Sequence, residues 1–226
     1  MKLKALFLDF YGTLVHEDDE IIPVICKRIE KSTDLNVSIE EIGRFWWQEF
    51  HELFMNSYGD NFKTQRIIEK ISLDRTLEYF SSSEDSDDLC QLLFNHWQRP
   101  KIFEDTKKFI ESVNVPICVV SNIDRVDINN AIKFHNLKFD CVLTSEDAKS
   151  YKPRKELFEL ALNEMKLSNN EVIHIGDSIR SDILGAKKCG IKSIWLKRNK
   201  MNKTNEVIEN ICIDLNEVKS LMEKII

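Results

Sequence analysis

Between residue 98 and the end of this 226-residue chain, short apolar runs alternate with amphipathic segments, and this alternation limits the fold more than any other feature. The runs are VPICVVS at 115–121, FDCVLTS at 139–145, EVIHIGD at 171–177 and IKSIWL at 191–196. Each is short, apolar and rich in β-branched residues, so each reads as a strand buried on both faces. Helical periods lie between them near 104–113, 125–136, 154–166 and 181–189, the last followed by Gly190 where a glycine ends helices. Strand, helix, strand repeated in this way means a parallel sheet covered on both faces. The stretch KALFLDFYGTLV at 4–15 begins with a strand of the same kind, at 3–9, which must join that sheet.

The region 17–97 has a different texture. Ile22, Ile25 and Ile29 share a helical face, and Phe45, Trp46, Glu49, Phe50, Leu53 and Phe54 follow at three- and four-residue steps. No strand pattern occurs there. The polar patch SSSEDSDD at 81–88 reads as a solvated loop, with Ser83 or Asp85 capping a helix at Leu89 to Trp97. The expected architecture is an α/β fold: a Rossmann-like three-layer parallel sheet made of 1–16 and 98–226, interrupted by an inserted all-helical cap at 17–97.

With 42% apolar residues the chain can bury a proper core. A formal charge of −6 and no block of Lys or Arg argue against a nucleic-acid partner. No run approaches the ~18 apolar residues of a membrane span, and no leader pattern is present, so a cytoplasmic protein without membrane contact is expected. The cysteines, Cys26, Cys90, Cys118, Cys141, Cys189 and Cys212, have neither metal-ligand nor redox spacing and read as reduced, buried, small hydrophobes.

In an open parallel sheet, ligands bind beyond the carboxyl ends of the strands. Those ends carry Asp9 followed by Gly12 and Thr13, then Ser121 and Asn122, then Lys152-Pro153 in the loop after the third run, then Gly176-Asp177 with Asp182 five residues on. Each alone is an ordinary turn or cap. Together they bring carboxylates to one sheet edge, where they repel unless a cation sits between them, and hard oxygen ligands suit Mg²⁺. A lysine beside them would neutralise the further charge of a bound phosphate.

The order DFYGT, SN, KP, GDSIRSD resembles the four motifs of the haloacid dehalogenase (HAD) superfamily, and an insertion after the first motif is similar to its helical cap type. The resemblance implies a hydrolase of small molecules in which Asp9 is the nucleophile and forms a covalent aspartyl intermediate. In the phosphatase branch it implies Mg²⁺ held by Asp9, the Tyr11 carbonyl and Asp177, with Asp182 close by or coordinating through water. Ser121, with the neighbouring groups of Asn122 and Gly12, would hold the substrate's phosphoryl oxygens, Lys152 would fix Asp9 and the transferring charge, and Thr13 would donate near Asp9.

Tyr11 departs from the phosphatase pattern, which has a second Asp there to protonate the leaving group. An unperturbed tyrosine, with a pKa of about 10, is a poor general base at neutral pH. D-x-Y-G-T is the form seen in 2-haloacid dehalogenases, but their fourth motif is typically S-S-N-x-x-D, without the Gly-Asp that stands here at 176–177. Those dehalogenases also hold the substrate carboxylate with a cap arginine, where this chain has Trp46 or Trp47, with Arg44 the nearest arginine. A Mg²⁺-dependent phosphatase acting on a small phosphorylated metabolite is the leading reading. A 2-haloacid dehalogenase and a weakly active binding or regulatory protein remain open. The aromatic stripe reads mainly as core of the insertion, but Phe45, Trp46 and Trp47 are consecutive and cannot all face one side, which makes Trp46 and Trp47 candidates for substrate contact. His16 and His174 read as structural, and oligomeric state is left open.

Overall fold

The four apolar residues Ala5–Leu8 are all buried and form β1, the strand around which the sheet is built. In the computed structural model of the protein, the described residues are 3–198, 204 and 206–225. After β1 the chain forms α1 (Ile22–Lys31), α2 (Ile39–Met55), α3 (Gln65–Tyr79), α4 (Ser86–Gln98) and α5 (Thr106–Ser112). Then follow β2 (Ile117–Ser121), α6 (Arg125–His135), β3 (Cys141–Thr144), α7 (Ser145–Ala148), α8 (Glu156–Met165) and β4 (Val172–Gly176). A π-helical turn at Ile179–Leu184 leads into α9 (Gly185–Lys188), β5 (Lys192–Leu196), β6 (Ile211–Cys212) and α10 (Leu215–Ile225).

The chain divides into two compact units. The first, residues 1–16, 101–122 and 135–226, holds the sheet, whose strands are parallel in the order β3-β2-β1-β4-β5-β6. Side chains alternate across a strand, so Ala5 and Phe7 of β1 with Cys118 and Val120 of β2 form one face. That face is sealed by Leu157, Phe158 and Ala161 of α8 and Ala186 of α9. Helices α5 and α10 pack on each other, and α10 also meets β5 and β6 on the other face. The result is a Rossmann-like three-layer α/β unit.

The second unit comprises 17–100 and 123–134. Its helices α1 to α4 pack in chain order, each on the next. Ser38 and Glu41 form a reciprocal capping box at the start of α2. Asp85 caps α4 by accepting from the amides of Asp87 and Asp88, so that helix starts at Ser86, three residues earlier than its apolar period predicts. The expected division at 97/98 leaves 98–100 and α6 with the sheet, whereas 98–100 and residues 123–134, nearly all of α6, group with the helical unit. The cause is electrostatic: the Asp124 carboxylate accepts the backbone N–H groups of Gln65 (2.8 Å) and Arg66 (2.9 Å) at the N-terminus of α3. Asp127, fully buried, takes a bidentate pair from the Arg66 guanidinium.

Three smaller expectations change. The helix expected at 181–189 is a π-turn followed by the short α9, with Gly190 at φ +67° behind it. All six cysteines are free thiols, but Cys141 and Cys189 are only half-buried. Strand β6 and helix α10 had no counterpart among the expected elements. Among the described residues no helix is long and apolar enough to cross a membrane.

Candidate active site

The strand order reverses at β1: β2 and β3 continue from it on one side and β4 to β6 on the other. Such a switch point opens a crevice at the carboxyl ends of the strands. The register pairs Leu8 with Val119 of β2 and Ile175 of β4, so the next residue, Asp9, stands level with Val120 and Gly176. The Asp9 amide donates to the Ile175 carbonyl at 2.9 Å, which extends the ladder to the site's edge.

Lys152 is the hub of the site. Its side chain is 1% exposed, and Nζ donates to Asp9 Oδ1 (2.7 Å), Asp182 Oδ1 (2.6 Å) and the Val120 carbonyl (2.8 Å). An ammonium has three protons, so its donor capacity is used in full. The loop is held by Asn122, whose Oδ1 accepts from the Lys152 amide (2.7 Å) while Nδ2 donates to the Lys152 carbonyl (3.0 Å). Asn122 therefore positions Lys152 through its backbone. Ser121, buried, ends β2 beside this loop.

Burial pushes the Asp9 carboxyl up to about 6, against the pull of Lys152. Burial acts on Asp182 in the same direction, but Lys152 and the His174 hydrogen bond outweigh it and hold that carboxyl down at about 2. The same two carboxylates keep Lys152 protonated well above its ordinary range although burial opposes this. His174, on β4 and fully buried, donates Nε2–H to Asp182 Oδ1 at 2.9 Å. Burial lowers its pKa, so the ring is neutral at pH 7.

Asp9, Asp177 and Asp182 each bring a carboxylate oxygen within 4.8 Å of the others. Asp177 Oδ1 accepts from the Thr13 hydroxyl at 3.2 Å, and its backbone carbonyl accepts from the Trp195 indole at 2.8 Å. Two glycines make this approach possible. Gly12 lies at φ +81°, and a Cβ there would stand 2.5 Å from Asp177 Oδ2. A Cβ on Gly176 would stand 2.2 Å from Asp182 Cγ. The Tyr11 backbone bridges to Val15, and its ring meets Phe10 edge-on at 5.2 Å.

The donor set of three carboxylates fits a hard divalent cation. The three acids are not equivalent, however. Asp182 accepts from Lys152 and His174 on Oδ1 and from the Ser178 amide on Oδ2 (3.0 Å), which leaves it little capacity for a further ligand bond. Its chemistry is to hold Lys152 against Asp9. Asp9, Tyr11, Gly12, Thr13, Ser121, Asn122, Lys152, Asp177 and Asp182 all belong to the sheet unit, whereas Trp46 and Trp47 belong to the helical unit and border a cavity there. Trp195 and Arg198, whose Nε donates to the Thr13 carbonyl at 2.9 Å, are supports that sequence reasoning missed, whereas His174, read as structural from the sequence, is bonded to Asp182. His174 alone left a local trace, a lone polar residue inside an apolar strand two positions before Gly176.

A model of the haloacid dehalogenase-like hydrolase family matches residues 3–190. Pyrophosphatase PpaX of Bacillus mycoides strain KBAB4 is 23% identical over 202 residues, covering 86% of this chain and 83% of that protein. A Clostridium perfringens sequence of the same PpaX designation is 29% identical over 213 residues, 90% of each chain. L-2-haloacid dehalogenase from Xanthobacter autotrophicus shares the fold with a TM-score of 0.78 at 17% identity, covering 99% of this chain and 100% of that one.

Proposed function

Since the chain belongs to the haloacid dehalogenase-like hydrolases, we propose that it is a Mg²⁺-dependent phosphatase that cleaves small phosphorylated compounds through an aspartyl-phosphate on Asp9. The observation that carries this reading is the gathering of Asp9, Asp177 and Asp182 at the sheet's switch point, with Lys152 bonded to Asp9 and Asp182. A carboxylate nucleophile needs its charge, its direction and a partner for the charge that arrives with the substrate. Lys152 supplies the direction through its 2.7 Å bond to Oδ1 and offsets part of the phosphoryl charge. Attack by Asp9 forms the new O–P bond as the bond to the leaving group breaks, and water then cleaves the acyl phosphate and restores Asp9. Ser121 and the Gly12 to Thr13 loop border the position that phosphoryl oxygens would take. Asp9, Asp177 and the Tyr11 carbonyl would hold Mg²⁺, which supplies charge neutralisation during transfer. Titration calorimetry with Mg²⁺ should show binding that Asp177→Ala weakens, and phosphatase turnover should cease in EDTA. Full turnover in chelator would end this reading.

The leaving group follows from Tyr11. Without a carboxylic acid at that position the departing oxygen receives little proton help, so substrates with stable leaving anions are favoured: acyl phosphates, aryl phosphates and phosphoanhydrides. The pyrophosphatase designation of the PpaX relatives is compatible with this class. The rate should depend steeply on leaving-group pKa. Tyr11→Asp should raise the rate on alkyl phosphates, by at most the ~10²- to 10⁴-fold that a positioned acid provides, and change aryl phosphates little. A flat dependence in the wild type would mean that another residue delivers the proton. The same tyrosine also favours a second reading, a 2-haloacid dehalogenase. That enzyme would release halide in chelator and gain no phosphatase rate from Tyr11→Asp.

A further inference from the structure

A cavity of about 430 Å³ lies wholly within the helical unit. Four carboxylates line it, those of Glu17, Asp18, Asp19 and Glu69, together with the rings of Trp46, Trp47 and Phe50, and no lysine or arginine is among the lining residues. Acidic residues on a surface are common and mean little, but Glu69 is different. It sits on α3 with 7% of its surface exposed, and its Oε2 is a buried acceptor with no hydrogen-bond partner. An unpaired carboxylate oxygen in such a place is a costly feature unless something fills it. Burial, reinforced by the neighbouring Asp18 carboxylate, pushes the Glu69 carboxyl well above its ordinary range.

The walls select the kind of cation. Among the described residues, the acids that come together closely enough to share a metal ion are Asp9, Asp177 and Asp182, and the cavity's own carboxylates form no such trio. Aromatic faces beside carboxylates attract an organic cation. Trp46 is fixed by its indole N–H bond to Ser72 Oγ (3.0 Å), and Trp47 is braced by parallel stacking on His51 with 4.7 Å between ring centroids. Asp18 Oδ1 is anchored by the Trp97 indole at 2.9 Å, so the acidic side of the cavity is fixed as well. The acceptor that lacks a partner needs a donor, which a protonated amine has and a quaternary ammonium lacks.

We propose that this cavity binds the protonated primary amine of a small organic molecule, with Glu69 Oε2 accepting an ammonium N–H and Trp46, Trp47 and Phe50 enclosing the adjoining carbon chain. The site does not depend on phosphoryl chemistry, so it can be tested in EDTA with no phosphate present. The probes are n-butylammonium, the neutral 1-butanol, tetramethylammonium and K⁺, followed by tryptophan fluorescence and titration calorimetry on the full chain. Butylammonium should bind saturably and tetramethylammonium several-fold more weakly, with 1-butanol and K⁺ giving no saturable signal. Glu69→Gln keeps the shape and should weaken butylammonium about tenfold. Trp47→Ala removes a ring that is 60% exposed, leaves the fold intact, and should weaken it about two- to fivefold. Equal binding of butanol and butylammonium, saturable binding of K⁺, no saturation by butylammonium, or unchanged affinity in a folded Glu69→Gln protein would each overturn the proposal.

Discussion

Asp9→Asn is expected to lower turnover by about 10³-fold or more while the protein stays folded. Asparagine has the same shape but no anionic oxygen to attack phosphorus, so the covalent step is lost outright. The fold should tolerate the change, because Lys152 retains Asp182 and the Val120 carbonyl as acceptors. Burial already pushes the Asp9 carboxyl up to about 6, a sign that its charge is held at a cost. Melting at neutral pH should therefore be unchanged or higher. The check is single-turnover kinetics on an aryl phosphate alongside a melting curve. More than a few per cent of wild-type activity would rule out covalent catalysis through Asp9.

Lys152→Met should be the most damaging single change to stability as well as to activity. It leaves Asp9 and Asp182 buried near each other without their counter-ion, a loss of about 3–5 kcal/mol. For a chain of this size that corresponds to roughly a 10 °C fall in melting temperature. The deficit should depend on pH in a definite direction. In the wild type, Asp182 is held at about 2, below its ordinary 3.8, so its contribution is complete above that ordinary value and disappears only as the pH falls through about 2. In the variant the same carboxyl loses the cation that holds it down and takes up a proton at higher pH. The gap between the two proteins should therefore be wide at pH 7 and narrow as the pH falls towards 4. Melting curves across that range decide the matter, and a gap that does not change with pH would mean that Lys152 acts by shape alone.

The residues legible in the sequence share one property: each lies immediately beyond a buried strand or in the loop that follows it. Asp9, Ser121 and Asp177 could be found by asking what ends an apolar run, because a parallel sheet collects those ends on one edge. What escaped is what depends on contact through space. Asp182 reads as a possible ligand from its spacing to Asp177, but its bonds to Lys152, 30 residues away, and to His174 leave no pattern along the chain. The tie of Arg198 to the Thr13 carbonyl spans 185 positions and is equally invisible. The grouping of α6 with the helical unit rests on Asp124 and Asp127 meeting Gln65 and Arg66, and an acidic residue opening a helix says nothing of a second helix it reaches. Strand β6 is two residues long, too short for any periodicity to register.

The placement of β1 between β2 and β4 has a consequence for how the molecule comes into being. Leu8 pairs with Val119 and Ile175, more than a hundred positions away in both cases, whereas α1 to α4 each pack on the next helix along the chain. Local contacts form early and distant ones late. During synthesis the helices can associate as soon as they emerge, but the strand bearing the nucleophile has no partner until residue 121 has left the ribosome and is paired on both edges only after residue 176. Until then a short apolar strand with an open edge must be kept from other chains. The acidic cluster assembles last of all, so hydrolytic competence should appear in a refolding experiment only with the slowest phase, after most of the helical signal has returned.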